Sequence, residues 1–342
     1  MTADTLHAPP AFRRYLAAVL GTLLTVAALA AIPLFRGFGT TGALNDFALP
    51  FKGDHGWYRD FAGRVVPEIQ DPDMFFHNVG PSIAEARKAD VILLGPSFML
   101  YAMDPEQLRQ FGVRHHIKIY NMAFFSVRSG EFSRRVITEW GLHPKLWIIN
   151  ADDQFEHFFD SAPDYWALGG SAPIPIPTLK YNRIQGWIAV ARRNLKWRWE
   201  DHLARRRATG PISDSAVYRR YDDGSVYIGN NPRYTAPDNP VIKVQRDQAC
   251  HTTEAIIAEG RRYLSDIGGQ SMLTLIPHSA FCLQQAKELG EILGLETLLP
   301  PSTAYTTVDG GGHFDHKGAV AFTQQFLASL EKSETFKNIL TQ

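Results

Sequence analysis

A serine and a histidine at opposite ends of this chain have the local settings that nucleophilic chemistry needs. Ser97 closes the run Ala89-Asp-Val-Ile-Leu-Leu-Gly-Pro-Ser97. Val91 to Leu94 are apolar and bounded by Asp90 and by Gly95-Pro96, which predicts a strand buried on both faces of a parallel sheet. Gly95 permits a sharp turn, and Pro96 has no N–H for a further ladder bond. Ser97 is thereby delivered to the carboxyl edge of a sheet, where open α/β folds keep their sites. The plainer alternative is a serine that only caps the following helix. Near the other end stands Asp309-Gly-Gly-Gly-His313-Phe-Asp315-His316-Lys-Gly318-Ala319. A glycine-rich loop presenting histidine just before a helix suits a general base, which must reach its nucleophile without being packed away.

The elements that would position these groups alternate between strand and helix. Further strands are predicted at Ile117–Tyr120, Leu146–Ile149 and Ser271–Ile276. Helices are predicted over Gly80–Lys88, from Ser126 to about Trp140, over His251–Ile267 and over His316–Leu330, the last with Asp315 as its N-cap. This alternation points to an α/β fold with a parallel, doubly wound sheet. No internal repeat is apparent. Between about 155 and 248 the pattern breaks into an α+β insertion. It contains a proline-rich link, Ala172–Pro177, a helix-like stretch, Ile184–Arg207, and a hairpin around Asp223-Gly224. The helix-like stretch sets Trp187, Trp197 and Trp199 beside several arginines. It is either a contact for a membrane surface or an acidic glycan, or an amphipathic helix with a solvated basic face.

Length and composition bound the rest. The chain has 342 residues, 45% of them hydrophobic, enough for a sizeable core. Its 35 basic and 35 acidic residues balance, so nothing global points to nucleic acid. Tyr15 to Phe35 carry no charged side chain, and at ~1.5 Å per residue they match the ~30 Å of a bilayer core. Arg13 and Arg14 precede the run, which places residues 1–14 in the cytoplasm, 15–35 in the membrane as an anchor and 36–342 outside. The rival is a signal peptide cleaved near Ala28-Leu29-Ala30. The two cysteines, Cys250 and Cys282, are expected at the same sheet edge as one disulfide, closing a loop of roughly 30 residues and stabilising by about 2–4 kcal/mol.

The Gly95-Pro-Ser97 turn and His313 followed by Gly318-Ala319 together resemble the SGNH/GDSL hydrolase superfamily. In that family an early strand ends in the nucleophilic serine and a late loop carries the histidine. The resemblance runs from about Asp90 to Leu330, outside the insertion, on short motifs whose order and placement carry it. It implies a three-layer α/β/α domain with a flavodoxin-like sheet. It also implies catalytic Ser97 and His313 with Asp309 orienting the imidazole. The family's usual aspartate would fall at Gly310, so Asp309 must swing back through the glycines, or a backbone carbonyl takes its place. The family's oxyanion blocks map onto Asn121–Ser126, with Ser126 at the usual glycine, and onto Asn150-Ala-Asp152-Asp153-Gln154. Asp152 or Asp153 falls where the family has an asparagine, and an ionised carboxylate cannot stabilise an oxyanion. Gln154 or Asn150 is the substitute, with Asn121 as a further candidate at the start of the first block.

Membrane-tethered members of this kind resemble enzymes that O-acetylate bacterial exopolysaccharides beside a membrane protein exporting acetyl groups. The expectation is therefore a single-pass inner-membrane protein with its C-terminal domain in the periplasm. It would act on a polysaccharide or small acyl ester through an acyl-serine, with no cofactor, no metal and no nucleic acid. Two other readings stand beside it. One is a metal hydrolase using His313, Asp315, His316, His278 and Asp152. The other is a noncatalytic SGNH-like envelope protein that binds glycan or a partner.

Overall fold

A computed structural model describes residues 80–124, 129–151, 216–228, 232–243, 251–278, 283–300 and 304–341. Shorter pieces are described at 15, 18–22, 25, 57–62, 74–75, 78, 155, 165–166 and 174–175. The chain divides into two units, Met1–Trp57 and Tyr58–Gln342. In the first, residues 15, 18–22 and 25 are helical. Among the described residues no helix is long and apolar enough to cross a membrane. Most of the 15–35 run lies outside them, as do Cys250, Cys282 and the whole of 184–207.

The strands in chain order are β1 (Trp57–Ala62), β2 (Val91–Leu94), β3 (Ile119–Asn121), β4 (Leu146–Asn150), β5 (Tyr165–Trp166) and β6 (Ile174–Pro175). They continue with β7 (Ala216–Arg220), β8 (Val226–Tyr227), β9 (Val241–Lys243), β10 (Ser271–Thr274), β11 (Thr297–Leu298) and β12 (Ala304–Thr306). Five of them form a parallel sheet in the order β11-β10-β4-β2-β3. The order reverses between β2 and β4, because the chain steps outward from β2 to β3 and then returns past β2. A crevice opens at the carboxyl ends of strands at such a point, and β2 is the strand that leads into Ser97. All four β2 residues and all five of β4 are buried, as continuous apolar runs covered on both faces require.

The helices are α1 (Ser82–Ala86), α2 (Ser97–Ala102), α3 (Pro105–His115), α4 (Ser129–Trp140), α5 (Glu254–Ile267), α6 (Leu283–Leu293), α7 (His316–Leu330) and α8 (Glu334–Leu340). They pack in two groups: α2 and α3 on α7, and α4 on α5 with α5 on α6. Right-handed crossovers account for this division, because the step from β2 to β3 runs opposite to every later step across the sheet.

Two polar devices join the ends of the sequence. Asp104 caps α3 by accepting from the Gln107 N–H at 3.0 Å, with Pro105 at the first helical position. The fully buried Thr323 of α7 accepts from the Asp104 N–H at 2.7 Å and donates to the Ala102 carbonyl at 2.9 Å. One hydroxyl therefore fixes the helix that follows His313 to the end of the helix that begins at Ser97.

Several expectations meet the structure with adjustments. Helix α7 spans His316–Leu330, and Asp315 caps it through the Gly318 N–H at 2.7 Å. Helix α5 starts at Glu254 rather than His251, because the Thr253 hydroxyl accepts from the Ile256 N–H. The hairpin around Asp223-Gly224 is present as antiparallel β7 and β8, with Gly224 at φ +66°. The fifth sheet strand, β11, and the antiparallel pair of β9 with β12 were not anticipated.

Gly318 has a steric role. A Cβ there would lie 2.2 Å from the Thr306 carbonyl oxygen, a backbone atom that cannot step aside. Gly318→Ala is expected to destabilise the fold by about 2 kcal/mol, since overpacking outweighs the ~1 kcal/mol that alanine gains over glycine in a helix. A denaturant midpoint equal to or above wild type would refute this.

Candidate active site

Ser97 is the first residue of α2, and the turn that delivers it is tight. A Cβ on Gly95 would lie 2.9 Å from the Met99 Cβ and 3.0 Å from the Asn150 Cβ, so only glycine lets β2 pass into α2 this closely. Pro96 at the N-cap supplies no side-chain acceptor for the first-turn N–H groups. Beside this turn, the Met122 N–H bonds to the Leu93 carbonyl and the Phe124 N–H to the Gly95 carbonyl.

The histidine loop is a closed turn. Its neck is the bridge between Thr307 and Phe314, with the Val308 N–H bonded to the His313 carbonyl at 2.8 Å. The insertion buttresses the neck from outside: Pro240, just before β9, accepts from the Thr307 N–H at 2.8 Å. Inside the turn, Asp309 Oδ1 accepts from the N–H groups of Gly311 at 2.8 Å and Gly312 at 3.1 Å, with His313 N–H at 3.4 Å. Its other oxygen, Oδ2, lies 2.6 Å from His313 Nδ1. Gly310 takes φ +71°, the left-handed conformation that glycine adopts without strain, and this brings Asp309 back over the loop.

The two ends meet here. Ser97 Oγ lies 2.8 Å from His313 Nε2, across 216 residues of sequence. Serine hydroxyl, imidazole and carboxylate thus form a continuous hydrogen-bonded line at the edge of the sheet where the strand order reverses. Burial works to raise the Asp309 carboxyl, but hydrogen bonds from His313 and from the Gly311 and Gly312 N–H groups prevail and hold it below the usual carboxylate value. Asp309 is therefore a carboxylate at neutral pH, and it favours the Nδ1–H tautomer of His313, which leaves Nε2 free to accept from the serine.

Aromatic rings surround the couple. Phe98 stacks on His278 with centroids 4.6 Å apart and planes at 16°, and its centroid is 5.0 Å from that of His313. Tyr101, one turn along α2, lies 4.6 Å from His313. Phe98 and Tyr101 carried no sequence signal beyond their adjacency to Ser97. His278 follows β10 at the same carboxyl edge, which was the available clue to its place.

The remaining candidates separate clearly. Asn121 is buried; its Oδ1 accepts from the Ala123 N–H at 3.1 Å and its carbonyl accepts from the Arg219 guanidinium at 2.8 Å. Asn150, fully buried, accepts at Oδ1 from the Ile276 N–H at 2.9 Å, while its Nδ2 has no partner among the described residues. Ser126, Asp152, Asp153 and Gln154 lie outside the described residues. Asp315 is occupied by the Gly318 N–H, the Thr306 hydroxyl and the Asn239 amide, and His316 is exposed. Among the described residues no group of three histidines, cysteines or carboxylates is placed to hold a metal ion.

No family model, no curated protein and no solved structure matches this chain. The chemistry of the site accordingly rests on its own geometry.

Proposed function

We propose that this chain is a serine-dependent acyl-ester enzyme of the SGNH/GDSL kind, an O-acyltransferase or esterase for cell-envelope or exported polysaccharide. The observation that carries the reading is the 2.8 Å contact of Ser97 Oγ with His313 Nε2, backed by Asp309. The strand order, numbered 2-1-3-4-5 within the parallel sheet, agrees with a flavodoxin-like, three-layer α/β/α domain.

In the reaction, Ser97 Oγ attacks the ester carbonyl while its proton passes to His313 Nε2. Asp309 holds the imidazole in place through Nδ1. Collapse of the tetrahedral intermediate breaks the bond to the leaving alcohol, which takes the proton from His313, and leaves an acyl-serine. Water then gives hydrolysis; a sugar hydroxyl gives transfer. In either case His313 removes the acceptor's proton and returns it to Ser97 as the acyl bond breaks. The developing oxyanion falls to the Ser97 N–H, at the uncapped start of α2, with the Asn150 amide on the neighbouring strand, unpartnered among the described residues, as a second donor.

The apolar run at 15–35 and the tryptophan- and arginine-bearing insertion suit the polymer acceptor and the periplasmic, membrane-tethered setting that the resemblance implies. A membrane protein that exports acyl groups is the partner this setting calls for. The competing reading, a noncatalytic glycan- or partner-binding protein, draws on the carboxylates Asp152 and Asp153 where an amide donor belongs.

Transfer and hydrolysis separate in one assay. With an aryl acetate as donor, candidate envelope oligosaccharides are expected to raise aryl alcohol release and to yield an acetylated sugar by mass spectrometry. Release that no oligosaccharide alters would make the chain an esterase. No release under any condition would favour the noncatalytic reading.

A further inference from the structure

Among the described residues, His278 is an ionisable side chain at this edge to which the reaction above gives no task. It is 8% exposed and comes from neither the nucleophile's element nor the base's. It lies just beyond β10, the strand that pairs with β4. Its ring is stacked on Phe98, the residue next to Ser97. Its backbone side meets Gly312, the residue next to His313. A Cβ on Gly312 would lie 2.3 Å from the His278 Cβ and 3.0 Å from Phe98 Cε1. His278 therefore touches the immediate neighbours of both members of the proton-transfer couple.

We propose that His278 is a positioning residue: its ring, stacked on Phe98, and its Cβ, set against Gly312, together fix the separation of the Ser97 turn from the His313 loop. The inference rests on the acyl-enzyme reading. The glycine loop is tied to the body by its neck at Thr307 and Phe314, and Asp309 governs only its internal shape. Lateral placement of His313 over Ser97 therefore needs a contact from outside the loop. The Phe98–His278 stack supplies one on the nucleophile side. Aromatic stacking fixes ring separation and tilt, which a smaller side chain cannot do. A shift of about 1 Å between nucleophile and base costs up to about a hundredfold in rate.

The role predicts a particular split between variants. His278→Phe keeps a flat ring on Phe98; His278→Ala removes it; Phe98→Leu removes the stack from the other side. In the full-length chain, the second-order rate of Ser97 labelling by a fluorophosphonate is expected to fall about tenfold to a hundredfold in His278→Ala and Phe98→Leu. It should stay within about threefold of wild type in His278→Phe, since a flat aromatic ring remains to stack on Phe98. Turnover of an aryl acetate should drop through kcat with KM little changed. The low-field proton signal of the His313–Asp309 hydrogen bond should persist in all three, because that bond lies within the loop. Wild-type labelling rates in His278→Ala or Phe98→Leu would overturn the proposal. So would equal losses in His278→Phe and His278→Ala, which would assign the role to the imidazole's polar atoms. Absence of labelling in the wild type would instead remove the acyl-enzyme reading on which the inference stands.

Discussion

Ser97→Ala is expected to lower the release of alcohol from an aryl acetate by about 10⁴-fold or more, while leaving the fold intact. The size of the effect follows from the line of three groups. Without the hydroxyl there is no acyl acceptor, and His313 has nothing to deprotonate except water held less closely. Only electrostatic stabilisation by the remaining donors would persist. The side chain is partly exposed at the start of α2, so its removal leaves no cavity in the core. Thermal unfolding should therefore superimpose on wild type. Equal turnover by wild type and variant would mean that any esterase activity arises elsewhere.

Asp309→Asn is the second large effect, expected to lower kcat by about 10²- to 10⁴-fold. The substitution separates two roles of one side chain. A carboxamide oxygen can still accept from the Gly311 and Gly312 N–H groups, so the loop keeps its shape. What disappears is the charge 2.6 Å from His313 Nδ1 that favours the tautomer able to accept from Ser97. The same carboxylate makes the loop acid-sensitive. Its folded value is held below the ordinary one, so its contribution to stability is fully present above the carboxyl's unfolded range and is lost as pH falls through the folded value. Lowering the pH through that window should destabilise wild type more than Asp309→Asn. Identical acid profiles for the two proteins, or unchanged kcat, would count against the assignment.

How much of this was legible in the residues depends on the range over which each signal acts. The turn at Ser97 is written locally: an apolar run, then Gly95, then Pro96. The cap of α7 is equally local, because Asp315 stands three residues before the N–H it accepts from. The placement of Asp309 lay at the limit of such reading. A spacing of four residues rather than three works because Gly310 adopts a left-handed conformation, which the run of glycines allows but does not impose.

Features set by distant pairing were not readable. Strand β11 is two residues long and too short to show a period; its pairing with β10 makes it a strand. The ribbon of β9 and β12 joins residues about 60 apart in sequence, which places the insertion's last segment beside the neck of the His313 loop. The Thr323 hydroxyl that ties α7 to the turn after α2 looks like any helical threonine until both partners are known. His278, Phe98 and Gly312 likewise meet only once the sheet has assembled.

The measurement that bears most directly on the central claim is intact-mass and peptide mapping after treatment with a fluorophosphonate. One adduct per chain is expected, on Ser97, and that adduct should be lost or greatly slowed in His313→Ala. An unmodified wild-type chain, an adduct on another residue, or labelling of Ser97 that ignores the loss of His313 would contradict it.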